Sequence, residues 1–278
     1  MIHKPILRSR WRVALGRRYF ILKRSVRWWM QRQPFATQRT AGSDVFTSCV
    51  AAHATPLRRN LSDADVWLQD NKIHNLMLAA QRLNNVIIQP GQTFSYWHQL
   101  GRPSKARGFR PGMQLVNGEV RVAVGGGLCQ MSNLIYWMTL HTPLVVTERW
   151  RHQYDVFPDV NRTQPFGSGA TCSYNYVDLQ IRNVSLQPFR LNVWLDDTHL
   201  HGAWLSTVPS PHVYEVYERN HTLEQGYWGG YVRRNEIWRI TRDAQDEQIL
   251  EDAFIAANTG YMMYSPLLPD GGSRLSTQ

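Results

Sequence analysis

From Trp11 onward, apolar residues recur at steps of three and four through Leu15, Tyr19, Leu22, Val26 and Trp29. That spacing predicts an amphipathic helix over residues 8–33, with Arg10, Arg17, Arg24 and Arg27 on its other faces. A second helix is expected from a Ser62 cap to about Asn84. Asp63 and Asp65 suit its first turn, and Ile73, Met77, Ala80 and Leu83 form its buried side, with His74 at a partly buried surface. Val86-Ile87-Ile88 reads as a short strand entering a Pro90-Gly91 turn, and Thr93 to Trp97 as a further apolar piece. Gln114 to Val116 and Glu119 to Val124 flank Asn117-Gly118, a dipeptide that tolerates positive φ and predicts a tight hairpin. Cys129 to Leu140 reads as a core helix stopping before Pro143, followed by a strand from Leu144 to Arg149. Tyr174–Ile181 and Phe189–Leu195 alternate well enough to be expected as an antiparallel pair, and the strand period continues through Tyr214–Tyr217 and Glu236–Ile240. The fold class is therefore α+β, with helices mainly in the first half packed on a mostly antiparallel sheet. Residues 1–48 are expected to form the basic helix and a linker, and residues 49–278 a single domain.

Charge sharpens this division. Residues 1–40 hold eleven Lys or Arg and no Asp or Glu, while the whole chain carries +10, so the remaining residues sum to −1. The basicity belongs to the N-terminal stretch, which excludes a nucleic-acid footprint spread over the folded body. A cationic helix with an apolar, tryptophan-bearing stripe suits an anionic membrane surface. The same stripe would also suit docking on the domain, leaving its arginines solvated. No apolar run reaches 18 residues, and the three cysteines, Cys49, Cys129 and Cys172, make an odd set without metal spacing. A reducing compartment follows, with the protein cytoplasmic or peripheral at the inner membrane face.

The chemistry concentrates at Gly125-Gly126-Gly127-Leu128-Cys129-Gln130. Consecutive glycines belong where backbone turns sharply or approaches another group closely. A thiol in a first helical turn feels the positive end of the helix dipole, which favours thiolate, and free N–H groups beside it can hold an oxyanion. His152, at the end of the following strand, is the candidate base, with Asp155, Asp159 or Asn161 to orient it. This is the layout of papain-like and transglutaminase-like thiol enzymes. Gly125, Gly126, Gly127 and Gln130 would line the substrate site, and Arg149 and Arg151 could grip a carboxylate. Against this, free cysteine is commonly a buried small hydrophobe, and histidine or arginine at a strand end is commonly solvated. Cys129, His152 and a carboxylate, or His199 and His201, lack a recognisable zinc spacing, so neither metal nor cofactor is expected.

Pro90-Gly91, Thr93-Phe94-Ser95, Gly108-Phe109, the Gly-Gly-Gly-Leu-Cys-Gln string, Glu148-Arg149, His152, Gly169-Ala170-Thr171, Asp178-Leu179 and Asn183 together resemble the VanW family. That family is named after an accessory protein encoded with B-type vancomycin resistance. Many longer members carry Asp-Ala-Thr where this chain has Gly169-Ala170-Thr171, so a third catalytic role held by that aspartate would have moved, to Asp155 or Asp159. The resemblance implies a role in glycopeptide resistance and the cell envelope, with a peptidoglycan precursor or other peptide-like envelope substrate as partner. Two activities are compatible with it: a thiol hydrolase or acyltransferase, and a binding protein without catalysis.

Overall fold

The computed structural model describes residues 9–31, 34–40, 45–58, 66–116, 119–155 and 164–264. Its elements run α1 (Arg10–Gln31), β1 (Ser48–Pro56), α2 (Val66–Leu83), β2 (Val86–Ile88), β3 (Thr93–Ser95), α3 (Tyr96–Leu100), β4 (Pro111–Val116), β5 (Glu119–Val124) and α4 (Cys129–Leu140). Strands follow: β6 (Val145–Glu148), β7 (Tyr154–Asp155), β8 (Gln180–Arg182), β9 (Phe189–Leu195), β10 (His199–Ser206), β11 (His212–Gln225), β12 (Tyr231–Asp243) and β13 (Ile249–Met262). The α+β class holds: the helices precede residue 141, and the named strand pairs are antiparallel except β7 with β13.

One sheet, β1-β10-β9-β2, is the floor of the core. Leu76, Ala79, Ala80 and Leu83 of α2 and Leu134, Ile135 and Met138 of α4 pack with its Leu191, Val193, Leu200 and Trp204 in one buried cluster. Burying side chains of this size is the main favourable term holding the layers together. Met77, expected on the buried side of α2, is 49% exposed; Asn75 takes that side instead. Its amide donates to the Arg110 and Gly126 carbonyls and accepts from the Arg110 N–H, so a polar side chain anchors α2 to the glycine loop. Ser62, Asp63, Asp65 and the Asn117-Gly118 turn lie outside the described residues, but β4 and β5 pair in the expected hairpin register, Val116 opposite Glu119.

The expected pairing of 174–181 with 189–195 does not form. β8 sits between β3 and β6, whereas β9 sits between β10 and β2. The cause is Asn183, whose buried amide donates to the Ile88 and Gln187 carbonyls while its own carbonyl accepts from Gly91 N–H. These bonds turn the chain away from β8 and into the next sheet. Thr93–Trp97 divides into β3 and a short helix, because Ser95 caps α3 by accepting from His98 N–H.

Helix α1 docks through a polar contact. The Arg24 guanidinium meets Glu148 in a two-point fork, at 2.7 and 2.5 Å, and lies 3.8 Å from Asp178. Ser25 accepts from Asn175, and Trp28 packs on Phe35 and His98 at the edge of the core. Asp178 is fully buried, accepting from Ser95 Oγ at 2.5 Å, Trp97 N–H, Leu179 N–H and Gln180 Nε2. Burial nevertheless pushes its carboxyl up to about 6, against the pull of those donors and of Arg24. The stripe Trp11, Leu15, Tyr19, Leu22, Val26 and Trp29 does not dock; every member is exposed.

Two outcomes follow. Replacing Arg24 with alanine strands two carboxylates in a largely buried site and should lower stability by about 2–4 kcal/mol in urea unfolding; a loss below about 1 kcal/mol would mean the contact is dispensable. For Asp178 the folded pKa lies above the unfolded one, so its contribution is full below about pH 4 and declines as pH rises through about 6. The stability of Asp178→Asn relative to the parent should therefore improve from pH 4 to pH 7; a constant difference would contradict the assignment.

Candidate functional site

Strand β5 delivers the chain into the glycine loop, and the loop leads directly into α4. Gly125 and Gly127 take φ of +79° and +89°, left-handed values that only glycine adopts without strain. Gly126 sits against the Gly112 backbone, where an added Cβ would overlap the Gly112 carbonyl. Both expected uses of the glycines are therefore met, the close approach being to the protein's own β4. The turn seats Cys129 as the first residue of α4. Gln130 N–H bonds Gly127 O and Met131 N–H bonds Leu128 O, a tight helix start. Among the described residues, the N–H groups of Gly127, Leu128 and Cys129 donate to no protein acceptor.

A cleft of about 1410 Å³ opens beside this loop. It is lined by the three glycines, Cys129, Gln130, Arg151, His152 and Asp155, and along one wall by Val13, Arg17 and Ile21 of α1. Cys129 and His152, 23 positions apart in the sequence, thus both line this cleft. Asp159 lies outside the described residues. Asp155 is buried in β7, and its carboxylate accepts from Tyr264 Oη at 3.2 Å. Gln130 Nε2 donates to Thr55 Oγ1 and the Pro56 carbonyl, tying α4 to β1.

The thiol departs from expectation. Burial pushes the Cys129 pKa up, only partly opposed by a hydrogen bond from the Cys172 backbone; as a thiol, Cys129 donates to the Cys172 carbonyl at 3.5 Å. The positive end of α4 favours thiolate, but removal of the sulfur from water opposes it, and the shift is upward. Burial, reinforced by the neighbouring Arg151 charge, lowers the His152 pKa. The pair is therefore a protonated thiol and a neutral imidazole near pH 7.

Arg149 is engaged elsewhere. Its guanidinium donates to Gly169 O, Gly167 O and Asn258 Oδ1 and lies over the Tyr136 ring, and it is not among the residues lining the cleft. Asn258 passes the contact on to Asn235, which donates to Phe166 O, so segment 166–169 is pinned between α4 and the long sheet. Arg151 keeps to the cleft, its guanidinium 4.0 Å over Phe166 and bonded to Thr259 O. Gly169, the position at which the resemblance implies an Asp in many longer members, faces Asn133: a Cβ there would come 2.9 Å from Asn133 Oδ1, which already accepts from Ala170 N–H. Two contributors were missed. Cys172 is a second, buried thiol lining the cleft, and Asn133 is the polar residue one turn beyond Cys129; its spacing within the helix was the available signal.

The thiol state has a direct readout. At neutral pH iodoacetamide should modify exposed Cys49 first and Cys129 roughly tenfold or more slowly, with the Cys129 rate still climbing above pH 9. Cys129 reacting ahead of Cys49 would reverse the assignment.

Residues 71–205 match the model for VanW like protein, a span that includes α4, the glycine loop and His152. The chain is 37% identical over 152 residues to the vancomycin B-type resistance protein VanW of Enterococcus faecalis, covering 55% of each chain. It is 30% identical over 118 residues to the uncharacterized protein YoaR of Bacillus subtilis, covering 42% of this chain and 37% of that one. It thus spans about half or less of the length of these curated relatives, and no solved structure matches it. Residues 71–205, which hold the glycine loop, Cys129 and His152, thus form a region of the VanW family within this chain.

Proposed function

We propose that this protein is a thiol-dependent acyltransferase or hydrolase acting on a peptide-like precursor of the cell envelope. The name of its enterococcal relative connects that protein with vancomycin resistance, and the proposal extends the association to this chain. What supports the reading is one observation: a single cleft is lined by Cys129, His152 and a glycine loop in which the Gly127, Leu128 and Cys129 N–H groups have no protein acceptor among the described residues.

The chemistry starts from a neutral pair. His152 takes the proton of the Cys129 thiol as sulfur attacks a substrate carbonyl, forming the C–S bond. The oxyanion is held by N–H groups of Gly127, Leu128 and Cys129, where the start of α4 adds its positive end. Collapse breaks the C–N bond, and the imidazolium returns its proton to the leaving amine. Water or a second amine then resolves the thioester, giving hydrolysis or transfer. Asp155, on the same cleft, is the candidate to orient His152. A raised thiol pKa suits this sequence, because a resting thiol resists alkylation and oxidation until a base and a substrate are in place.

A second reading, ligand binding without bond cleavage, is favoured by the charge of the cleft. Arg17, Arg18, Lys72, Arg102, Arg121 and Arg151 line it, together with a single carboxylate among the described residues, Asp155. These cations suit an anionic or carboxylate-bearing ligand under either reading.

Incubation with muropeptide precursors, followed by intact-mass spectrometry, separates the two. A thioester adduct on the parent, absent in Cys129→Ser and slowed about 10²–10⁴-fold in His152→Ala, is expected. Activity should survive below the usual histidine range and fall as pH drops through the lowered His152 pKa. Precursor binding that is unchanged in Cys129→Ser, with no adduct on the parent, would establish the binding protein instead.

A further inference from the structure

Helix α1 presents two faces with different commitments. Ile21, Arg24, Ser25 and Trp28 turn toward the domain, fixed by the Arg24 fork on Glu148 and by the Trp28 contacts. At 3.6 residues per turn, Trp11, Leu15, Tyr19, Leu22, Val26 and Trp29 fall largely on the far side. All six are exposed, Trp11 and Trp29 at 82%, and Met30 at 68% borders them. Seven large apolar side chains along one helix face make a patch that a soluble surface seldom leaves uncovered.

What borders the patch identifies its occupant. Arg12, Lys23 and Arg27 run along one edge and Arg18 along the other, all exposed. The stretch 1–40 has no acidic residue to attract a basic partner or to pair these cations internally. A stripe with a tryptophan near each end, rimmed by Arg and Lys and without carboxylates, matches the headgroup boundary of an anionic bilayer: rings and leucines below the phosphates, cations at their level. Among the described residues no helix is long and apolar enough to cross a membrane, so the contact is along the surface.

We propose that the outer face of α1 lies in the headgroup region of an anionic membrane while its inner face stays docked on the domain. The orientation has a consequence for the cleft. Arg17, Ile21 and Ser25 of the same helix line it, and Arg18 and Leu22, where the outer stripe meets the cleft, border both, so the space holding Cys129 runs alongside the membrane-embedded element. Resting on the functional reading above, this specifies the substrate class further: a precursor with an anionic, lipid-anchored end, which reaches the cleft without leaving the bilayer surface.

The test uses the full chain in co-sedimentation with vesicles of phosphatidylcholine alone and of phosphatidylcholine mixed with phosphatidylglycerol. Binding is expected only to the anionic vesicles and should weaken as salt is raised. Trp11→Ser combined with Trp29→Ser should reduce partitioning about tenfold or more, with the far-UV spectrum unchanged because both rings are exposed. Tyr227→Ser, an equally exposed aromatic in the β11–β12 turn, should leave binding unaltered. Cys129→Ser should also bind like the parent, so a failure of the thiol chemistry and a failure of docking are read separately. Undiminished sedimentation of the double tryptophan variant would overturn the proposal, as would equal binding to neutral vesicles. A dimer that the same variant dissociates, with no vesicle binding by the parent, would assign the face to a second copy of the chain and overturn it too.

Discussion

Glu148 and Asp178 sit where carboxylates are expensive, on and beneath the surface that α1 covers, and their nearby cation is supplied by that helix. Asp178 is fully enclosed, and Glu148 accepts from Arg24, from Trp150 Nε1 and from Asp178 N–H. A buried carboxylate without a partner is strongly destabilising, so the arrangement requires Arg24 to point inward. Once it does, the rotation of α1 about its axis is set. The residues one turn either side of Arg24 face the domain, the apolar stripe faces outward, and Val13, Arg17 and Ile21 become a wall of the cleft. The outward stripe and the closed cleft are two results of one electrostatic contact.

That coupling explains what was legible in the sequence and what was not. Local signals read well: α4 begins at Cys129 and ends at Leu140, and the β4–β5 hairpin pairs as its alternation requires. So did the conformational demand on the glycines, two of which take positive φ. The docking face of α1 was hidden because periodicity analysis weighs apolar residues, whereas α1 docks through an arginine, a serine and one tryptophan. The partners of β8 and β9 were hidden for a related reason. Alternation says that a segment is a strand without saying which strand it joins, and a single asparagine, Asn183, redirects the chain between sheets.

At the site, the sequence singled out two residues that line one cleft and led to the wrong direction for the thiol. Cys129 and His152 line one cleft, yet the thiol is shifted up, since the dipole of a helix start is a modest effect beside removal of sulfur from water. Arg149 shows the converse. A residue type well suited to gripping a ligand is used to fasten segment 166–169, because carbonyls of a glycine-containing turn need donors when buried. The distinction between a substrate-binding and a fastening arginine lies in contacts more than a hundred positions away, at Asn258.

The cations that remain on the cleft act against the same background. Lys72, Arg102, Arg121 and Arg151 come from the body of the domain and Arg17 and Arg18 from α1, so the positive character of the space depends on the helix being in place. A positive environment lowers the cost of forming an oxyanion and a thiolate, which the resting burial of Cys129 raises. Under the proposed function, binding an anionic group would neutralise part of that field and so act on the thiol in two ways: its charge would oppose ionisation, while its exclusion of water would strengthen the remaining dipoles. Under the proposed thiol chemistry, the balance would favour reaction when the carbonyl is seated at the Gly127–Cys129 N–H groups, where developing negative charge would be met by donors already in position. A ligand that fills the charged wall without reaching the glycine loop would hold the thiol protonated, and selectivity would then come from reach along the cleft more than from affinity for its charge.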